Sequence, residues 1–192
     1  MLPENQYSHE ISRALIYLLL FTLSGVLQVF WLKYAKFQIF HKPLDFGQKW
    51  RGKSIFGKNK TFSGLIGMAL SCIMIASVFA WIRPGVKSID TIGRTIAFWG
   101  LLGVVYMLGE LPNSFMKRRL NIAPGETPRK TVPRRLMYVI DQTDSVACVA
   151  LFVMWREGLS WVFFTSSVIF GFFIHAGFNV FLWKIRIKSN PR

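Results

Sequence analysis

Acidic residues and cysteines are scarce in this chain. Its 192 residues include nine Asp and Glu against 24 Lys and Arg, which gives a formal net charge of +15. The two cysteines, Cys72 and Cys148, both lie inside apolar runs, so we expect neither a disulfide nor a cysteine metal site. The sequence also lacks a linker, an internal repeat and a low-complexity tail. These absences predict a single domain over residues 1–192.

Long apolar runs dominate what is present. Hydrophobic residues make up 52% of the chain and are gathered in blocks. About 20 apolar residues are needed for a helix to cross a bilayer. The sequence therefore predicts an all-α, polytopic membrane protein with about five transmembrane helices and two long polar cytoplasmic loops, at about 33–61 and 112–135. The predicted spans are 14–32, 62–82, 95–111, 136–155 and 159–183.

The basic residues are distributed unevenly between the two sides of these spans. Nineteen of the 24 Lys and Arg fall in the two long loops and the C-terminal tail, and five fall on the other side. Because Lys and Arg concentrate in cytoplasmic loops, we expect an external N-terminus, a cytoplasmic C-terminus and a functional site facing the cytoplasm, with the cell membrane as location. No basic stretch forms a separate soluble domain with stacking aromatics, so we do not expect nucleic-acid binding.

Two carboxylates, Asp141 and Asp144, interrupt the fourth apolar run. Charge inside a membrane-length segment is costly, which favours a functional role for the pair. Three residues apart on a helix, the two side chains share one face and can converge on one ion. The loop before them is rich in cations that could bind an anion. The sequence therefore predicts a metal and phosphate site at a membrane surface. The basic residues of that loop are Lys117, Arg118, Arg119, Arg129, Lys130, Arg134 and Arg135.

The first long loop is rich in glycine and lysine. Backbone amides at Gly57 can approach a phosphate closely, while Lys58, Lys60 and Thr61 add charge and a hydroxyl donor. The segment 47–54 also reads G-Q-K-W-R-G-K-S, which satisfies the Walker A expression. That motif requires a strand before it, a helix after it and a parallel sheet around it. No such domain is predicted here, so we do not interpret 47–54 as a Walker A loop.

Polar residues also follow the third run and interrupt the last one. Glu110, Ser114, Lys117 and Arg118 share one side at helical spacing if Pro112 opens a new turn. Basic residues just past a span commonly anchor it to headgroups, which is the simpler role for Arg119 taken alone. In the last run, His175 and Asn179 form an i, i+4 pair that suits interhelical hydrogen bonding as well as a place in the site.

Taken in order, these segments resemble the CDP-archaeol synthase family, which belongs with the CTP:phosphatidate cytidylyltransferases. The resemblance runs from about residue 43 to residue 179. It consists of D-F-G, then G-K-N-K-T before a span, then N-S-x-x-K-R-R-L-x-I-x-P-G, then D-Q-x-D entering a span, then H-x-x-x-N. The matching positions are Asp45, Gly57, Lys58, Lys60, Thr61, Asn113, Ser114, Lys117, Arg118, Arg119, Pro124, Gly125, Asp141, Asp144, His175 and Asn179.

The resemblance implies an enzyme that transfers a cytidylyl group from CTP to a lipid phosphate and releases pyrophosphate. Asp141 and Asp144 would hold Mg²⁺, and Lys117 and Arg118 would act beside them in catalysis. The other matching positions would bind substrate: Asp45, Gly57, Lys58, Lys60, Thr61, Asn113, Ser114, Arg119, His175 and Asn179. The acceptor stays open between an archaeal ether lipid, phosphatidate and another lipid phosphate. A small ion- or proton-coupled transporter remains the alternative, since it could also place carboxylates in spans.

Overall fold

Five long helices make up most of the residues that the structure describes. The computed structural model describes residues 4–34, 41–82, 89–126, 128 and 131–186. Its helices are α1 (Glu4–Tyr34), α2 (Phe62–Ile82), α3 (Ile89–Arg119), α4 (Thr131–Glu157) and α5 (Trp161–Lys184). All five are long and apolar enough to cross a membrane, which confirms the predicted class. Arg129 and Lys130 of the second basic loop lie outside the described residues.

Helix α3 extends further than its apolar run. A loop was expected from Pro112 onward, but α3 passes through Pro112 and ends at Arg119. Proline removes one backbone donor from a helix, and membrane spans tolerate that loss when other groups satisfy the freed carbonyl. Asn113, Ser114 and Lys117 therefore lie on the last turns of α3 rather than in a loop. Helix α4 likewise begins at Thr131, inside the second predicted loop.

The segment that matches the Walker A expression is a β-hairpin. Strand β1 (Lys49–Trp50) pairs antiparallel with β2 (Lys53–Ser54), and Trp50 lies opposite Lys53. The two turn residues have positive φ angles, 52° at Arg51 and 76° at Gly52. Positive φ at both central residues is the signature of a type I′ turn, whose twist matches that of a hairpin. The sequence-based rejection of a Walker A loop agrees with this geometry.

Residues 19–126 form one compact unit, in which α2 packs on α3 through small residues. A Cβ added at Gly103 would lie 2.7 Å from the Cα of Ala69, so the two backbones approach as closely as glycine allows. A Cβ at Gly67 would collide with the Trp31 ring at 2.4 Å. Small residues are a common means of close helix packing in membranes, where dispersion contacts replace the hydrophobic driving force.

We expect Gly103→Ala to destabilise this unit. The added methyl group forces α2 and α3 apart, and overpacking of this kind costs about 1 to 3 kcal/mol. Gly93→Ala is the matched control, because Gly93 lies on the same helix and a Cβ there meets nothing within 4 Å. The control should gain only the helix propensity of alanine. The measurement is the thermal unfolding midpoint in detergent, and equal midpoints for the two variants would contradict the packing.

Residues 1–18 and 127–192 form the second compact unit. In it, the carboxylate of Glu10, which is only 2% exposed, accepts hydrogen bonds from the backbone N–H groups of Ser160 and Phe163 and from the Ser160 hydroxyl. A carboxylate at this position satisfies donors at the start of α5 that have no partner within the helix. Glu157, at the end of α4, accepts from the Tyr17 hydroxyl and pairs with Arg13 at 2.7 Å. The turn between α4 and α5 is thereby fixed against α1.

Candidate active site

Asp45 organises the first long loop. Its carboxylate is 6% exposed and accepts three backbone hydrogen bonds. The N–H of Gly47 lies 3.0 Å from Oδ1, and the N–H groups of Phe56 and Gly57 lie 2.9 and 3.0 Å from Oδ2. Gly57 was expected to offer its amide to a phosphate, yet here that amide serves Asp45. The carboxylate therefore holds the glycine-rich segment in one conformation.

The hydrogen bonds to Asp45 predict a pH-dependent loop. Burial raises the pKa of Asp45, but the N–H groups of Phe56, Gly57 and Gly47 outweigh burial and bring the pKa below its ordinary value of 3.8. A carboxyl whose folded pKa is depressed stabilises the fold above its unfolded pKa. That stabilisation is lost as the pH falls through the folded value. We expect the protection of the Phe56 and Gly57 amides against hydrogen exchange, relative to the intrinsic rate at each pH, to fall on acidification below about pH 4.

Asp45→Asn is the variant that tests this dependence. It should loosen the loop at neutral pH by about 1 to 3 kcal/mol, because an amide cannot accept all three bonds. It should also remove the acid dependence of the protection of these amides. Protection that responds to acid equally in the variant and the wild type would contradict the assignment.

Lys60 is paired with a carboxylate from α3. Its Nζ donates to Oε2 of Glu110, and both side chains are largely buried. Its carbonyl accepts from the N–H of Leu44 at 2.7 Å, so the lysine is held from both ends. Thr61, the next residue, accepts the N–H of Gly64 with its hydroxyl at 3.1 Å and so caps the start of α2. Lys58 lies on the exposed side of the same turn.

The last turns of α3 bring cations and amides close to this loop. Asn113 and Ser114 are 7% and 8% exposed, and Arg118 is 8% exposed. The guanidinium of Arg118 donates to the carbonyl of Ile122 and packs beside Gly57, where an added Cβ would lie 3.4 Å from Nε. The same Cβ would lie 3.0 Å from the Pro124 ring. Gly57, with a φ of 95°, is therefore required both by its backbone and by this packing.

Arg119 binds the hairpin. Its guanidinium donates to the carbonyl of Trp50 at 2.6 Å, of Lys53 at 3.1 Å and of Ser54 at 2.5 Å. It also lies 5.5 Å from the centre of the Trp50 ring and 5.0 Å from that of Phe115. In addition, the Nζ of Lys53 donates a hydrogen bond to the Arg119 carbonyl at 2.9 Å. The planar fork of an arginine suits this set of acceptors. A role of Arg119 in substrate binding stays a prediction.

The carboxylate pair lies in the first half of the span Arg134–Glu157 of α4. Asp141 and Asp144 are both half-buried, and Oδ1 of Asp144 accepts from the N–H of Ser145 at 2.7 Å. Between them, Gln142 is 3% exposed and accepts a bond from the Asn179 side chain at 2.8 Å. Asn179 thus makes the interhelical hydrogen bond that was one of its two expected roles. His175 lies half-buried one turn earlier on α5.

The donor set on α4 is compatible with Mg²⁺ rather than with a metal held by protein alone. No cluster of three or more His, Cys, Asp or Glu suited to a metal ion occurs among the described residues. Mg²⁺ is usually held by one or two carboxylates together with waters and substrate phosphates. Two half-buried carboxylates one turn apart fit that arrangement and leave the remaining positions to a substrate.

Sequence reasoning missed three polar residues that the structure brings into these contacts. Glu110 was grouped with the cations but not recognised as the partner of Lys60. Gln142, which lies between the two aspartates, was assigned no role. Gln28, in the middle of α1, donates to the Gly64 carbonyl at 3.0 Å. A polar side chain inside an otherwise apolar run was the available signal for Gln28 and Gln142, because such groups need partners in a membrane.

The described residues define a polytopic membrane protein whose polar side chains gather at the ends of α2 and α3 and at one carboxylate pair within α4. Residues 15–191 match the CarS-like CDP-archaeol synthase family, and the chain belongs to that family. The resemblance carried by the motifs is thus confirmed.

Individual relatives carry the same description. A CDP-archaeol synthase of Pyrococcus furiosus is 38% identical over 84 residues, which cover 43% of this chain and 48% of the relative. One of Saccharolobus islandicus is 29% identical over 160 residues, covering 78% of this chain and 81% of the relative. The match to the Pyrococcus proteins therefore spans about half of their length. No solved structure matches the chain.

Proposed function

We propose that this protein is a Mg²⁺-dependent enzyme that transfers the cytidylyl group of CTP to a membrane lipid phosphate. A phosphate oxygen of the lipid attacks the α-phosphorus of CTP in line. The bond from that phosphorus to the bridging oxygen breaks, and pyrophosphate leaves with the electron pair. The product is a CDP-activated lipid that stays in the bilayer. No nucleophilic side chain is required, because the lipid supplies the attacking oxygen.

Each group of residues has a separate task in this reaction. Lys60, Lys117 and Arg118 neutralise the triphosphate and the charge that develops on the leaving pyrophosphate. Asn113, Ser114 and the Gly57–Thr61 segment orient the nucleotide. Asp141 and Asp144 would hold Mg²⁺, which when bound would supply positive charge to the reacting phosphates and to the leaving group.

The observation that carries the proposal is the association of the first loop with the end of α3. Lys60 pairs with Glu110, and Gly57 packs on Arg118, so two segments whose contacting residues are 50 and 61 positions apart in the chain share one place in the fold. Both segments lie within residues 15–191, which match the family. A cationic, glycine-containing surface at a helix end is suited to binding a nucleoside triphosphate.

The names of the relatives point to the acceptor. They are CDP-archaeol synthases, so an archaeol-based ether lipid phosphate is the acceptor we propose first. Phosphatidate and polyprenyl phosphate present the same attacking phosphate group and differ in the lipid that carries it. The test is to incubate purified protein with labelled CTP, Mg²⁺ and each lipid phosphate in turn, and to follow label in the lipid phase. Ion flux in liposomes without CTP or lipid phosphate would instead support a transporter.

The orientation in the membrane is a further prediction. We propose that the first loop and the end of α3 face the cytoplasm, where CTP is available, as the split of 19 basic residues against five suggests. With five spans, a reporter fused after Arg192 should then behave as cytoplasmic and one fused before Met1 as external. An external reporter at the C-terminus would contradict this orientation and the placement of the nucleotide site.

A further inference from the structure

The hairpin of the first loop presents a surface that the proposed reaction does not use. Phe46 is 69% exposed and Trp50 is 49% exposed. Lys49 and Arg51 are exposed beside them, and the Arg51 guanidinium lies 5.4 Å from the centre of the Trp50 ring. We call these four residues, Phe46, Lys49, Trp50 and Arg51, the hairpin surface. It combines large apolar rings with positive charge.

Contacts within the same unit place the hairpin surface beside the start of α2 and the end of α3. The ring of Phe46 packs against that of Phe62, the first residue of α2, with centroids 5.4 Å apart. Trp50 stacks on Phe115 of α3 at 5.4 Å, and its carbonyl accepts from Arg119, the last residue of α3. Phe62 begins one helix that is long and apolar enough to cross a membrane, and Arg119 ends the next. The hairpin surface therefore lies at the level where these two candidate spans end.

That level determines which partner the hairpin surface suits. Trp side chains favour the interface between hydrocarbon and water, and Lys and Arg there are attracted to anionic lipids. A soluble partner would have to compete with the bilayer for the same rings. We propose that the hairpin surface docks on the headgroups of anionic lipids in the leaflet where α2 begins and α3 ends. These lipids are bulk components of the bilayer and are not consumed in the reaction.

Docking would connect the bilayer, through the hairpin, to the Gly57–Thr61 segment that we propose binds the nucleotide. Arg119 fixes the carbonyls of Trp50, Lys53 and Ser54, and two residues further on Asp45 fixes the amides of Phe56 and Gly57. The lipid contact and the Gly57–Thr61 segment are thus parts of one hydrogen-bonded loop.

Tryptophan quenching by brominated lipids tests the proposal without reference to activity. Full-length protein is placed in bilayers in which either the anionic or the neutral lipid carries bromine near the headgroup end of its chains. The emission of Trp50 is obtained as the difference between the wild type and Trp50→Phe. We expect brominated anionic lipid to quench Trp50 more strongly than the same fraction of brominated neutral lipid. Absence of quenching by either lipid, or equal quenching by both, would overturn the proposal.

A charge variant that keeps the hairpin gives the second arm. Lys49→Gln combined with Arg51→Asn removes two charges and leaves an Asn-Gly pair in the turn, the preferred sequence for type I′. Each charge near an anionic surface changes binding by roughly fivefold, so the preference for anionic lipid should fall roughly twentyfold or more. Trp50→Phe is repeated in this background to isolate the Trp50 signal.

The matched control removes two exposed basic residues elsewhere. Arg94→Gln with Arg156→Gln changes the net charge equally, near the start of α3 and the end of α4. This pair should leave the Trp50 preference unchanged. A preference that survives the hairpin variant, or that falls equally in the control, would show that the hairpin surface does not bind anionic lipid.

Discussion

Asp141→Asn and Asp144→Asn should each lower the rate of CDP-lipid formation by roughly a hundredfold or more. Asparagine keeps the shape of the side chain but removes the charge that would pair with Mg²⁺ in the proposed reaction. Extra Mg²⁺ should restore the rate only partly, because a higher concentration fills a weakened site but does not replace the anionic ligand that would position the ion. Membrane insertion should survive or improve, since an amide in a span costs less than a carboxylate. The measurements are label transfer from CTP to lipid and the yield of folded protein.

Thr143→Val is the matched control for the carboxylate variants. Thr143 lies between the two aspartates on α4, and its hydroxyl donates to the Val139 carbonyl at 2.9 Å. Its loss changes the local polarity of the helix without removing a candidate metal ligand. The control should retain most of the activity. If both Asn variants formed CDP-lipid at the rate of the control, the assigned role of Asp141 and Asp144 would be wrong.

Lys60→Ala, Lys117→Ala and Arg118→Ala should each weaken CTP binding by roughly ten- to a hundredfold. The estimate corresponds to the loss of one charge-assisted hydrogen bond of about 1.5 to 3 kcal/mol. Arg118→Ala should have the largest effect of the three, because it also removes the bond to the Ile122 carbonyl and the packing beside Gly57. The dissociation constant for CTP, measured by titration in detergent, gives the result.

Arg94→Ala serves as the control for the basic residues. Arg94 is exposed near the start of α3, at the opposite end of that helix from Lys117 and Arg118. Arg94→Ala removes the same charge from the chain, so a general electrostatic effect on CTP affinity would appear in this control as well. If CTP affinity were unchanged in all three variants, Lys60, Lys117 and Arg118 would not bind the nucleotide. Their role would then be to anchor the helices to lipid headgroups.

The spans were predictable because their signal is local. A run of about 20 apolar residues needs no tertiary information to be recognised, and α2 has the bounds that its run predicts. The ends of α3 and α4 were less predictable, since both helices continue past the apolar residues into polar ones. At Pro112 the local rule for a helix breaker failed, because a span can absorb one missing donor.

The sequence predicts which residues belong to the candidate site, but it does not predict the contacts that they make. The spacing of Asp141 and Asp144 placed both on one helix face, as the helical bounds of α4 bear out. The partner of Lys60 was not predictable, because Glu110 lies 50 positions away in the chain. The same holds for Arg119, which lies 69 positions from Trp50.

By itself the sequence determined the number of candidate spans and the family. It also determined which polar residues interrupt or follow the apolar runs. These follow from apolar run length, charge and short motifs, each of which is read within a few neighbouring positions. Only the tertiary structure decided how the polar groups are paired: Asp45 with the amides around Gly57, Lys60 with Glu110, and Arg119 with the hairpin. Such pairs depend on the packing of helices that are distant in the chain, and a buried polar group accepts whichever partner that packing brings within hydrogen-bond distance.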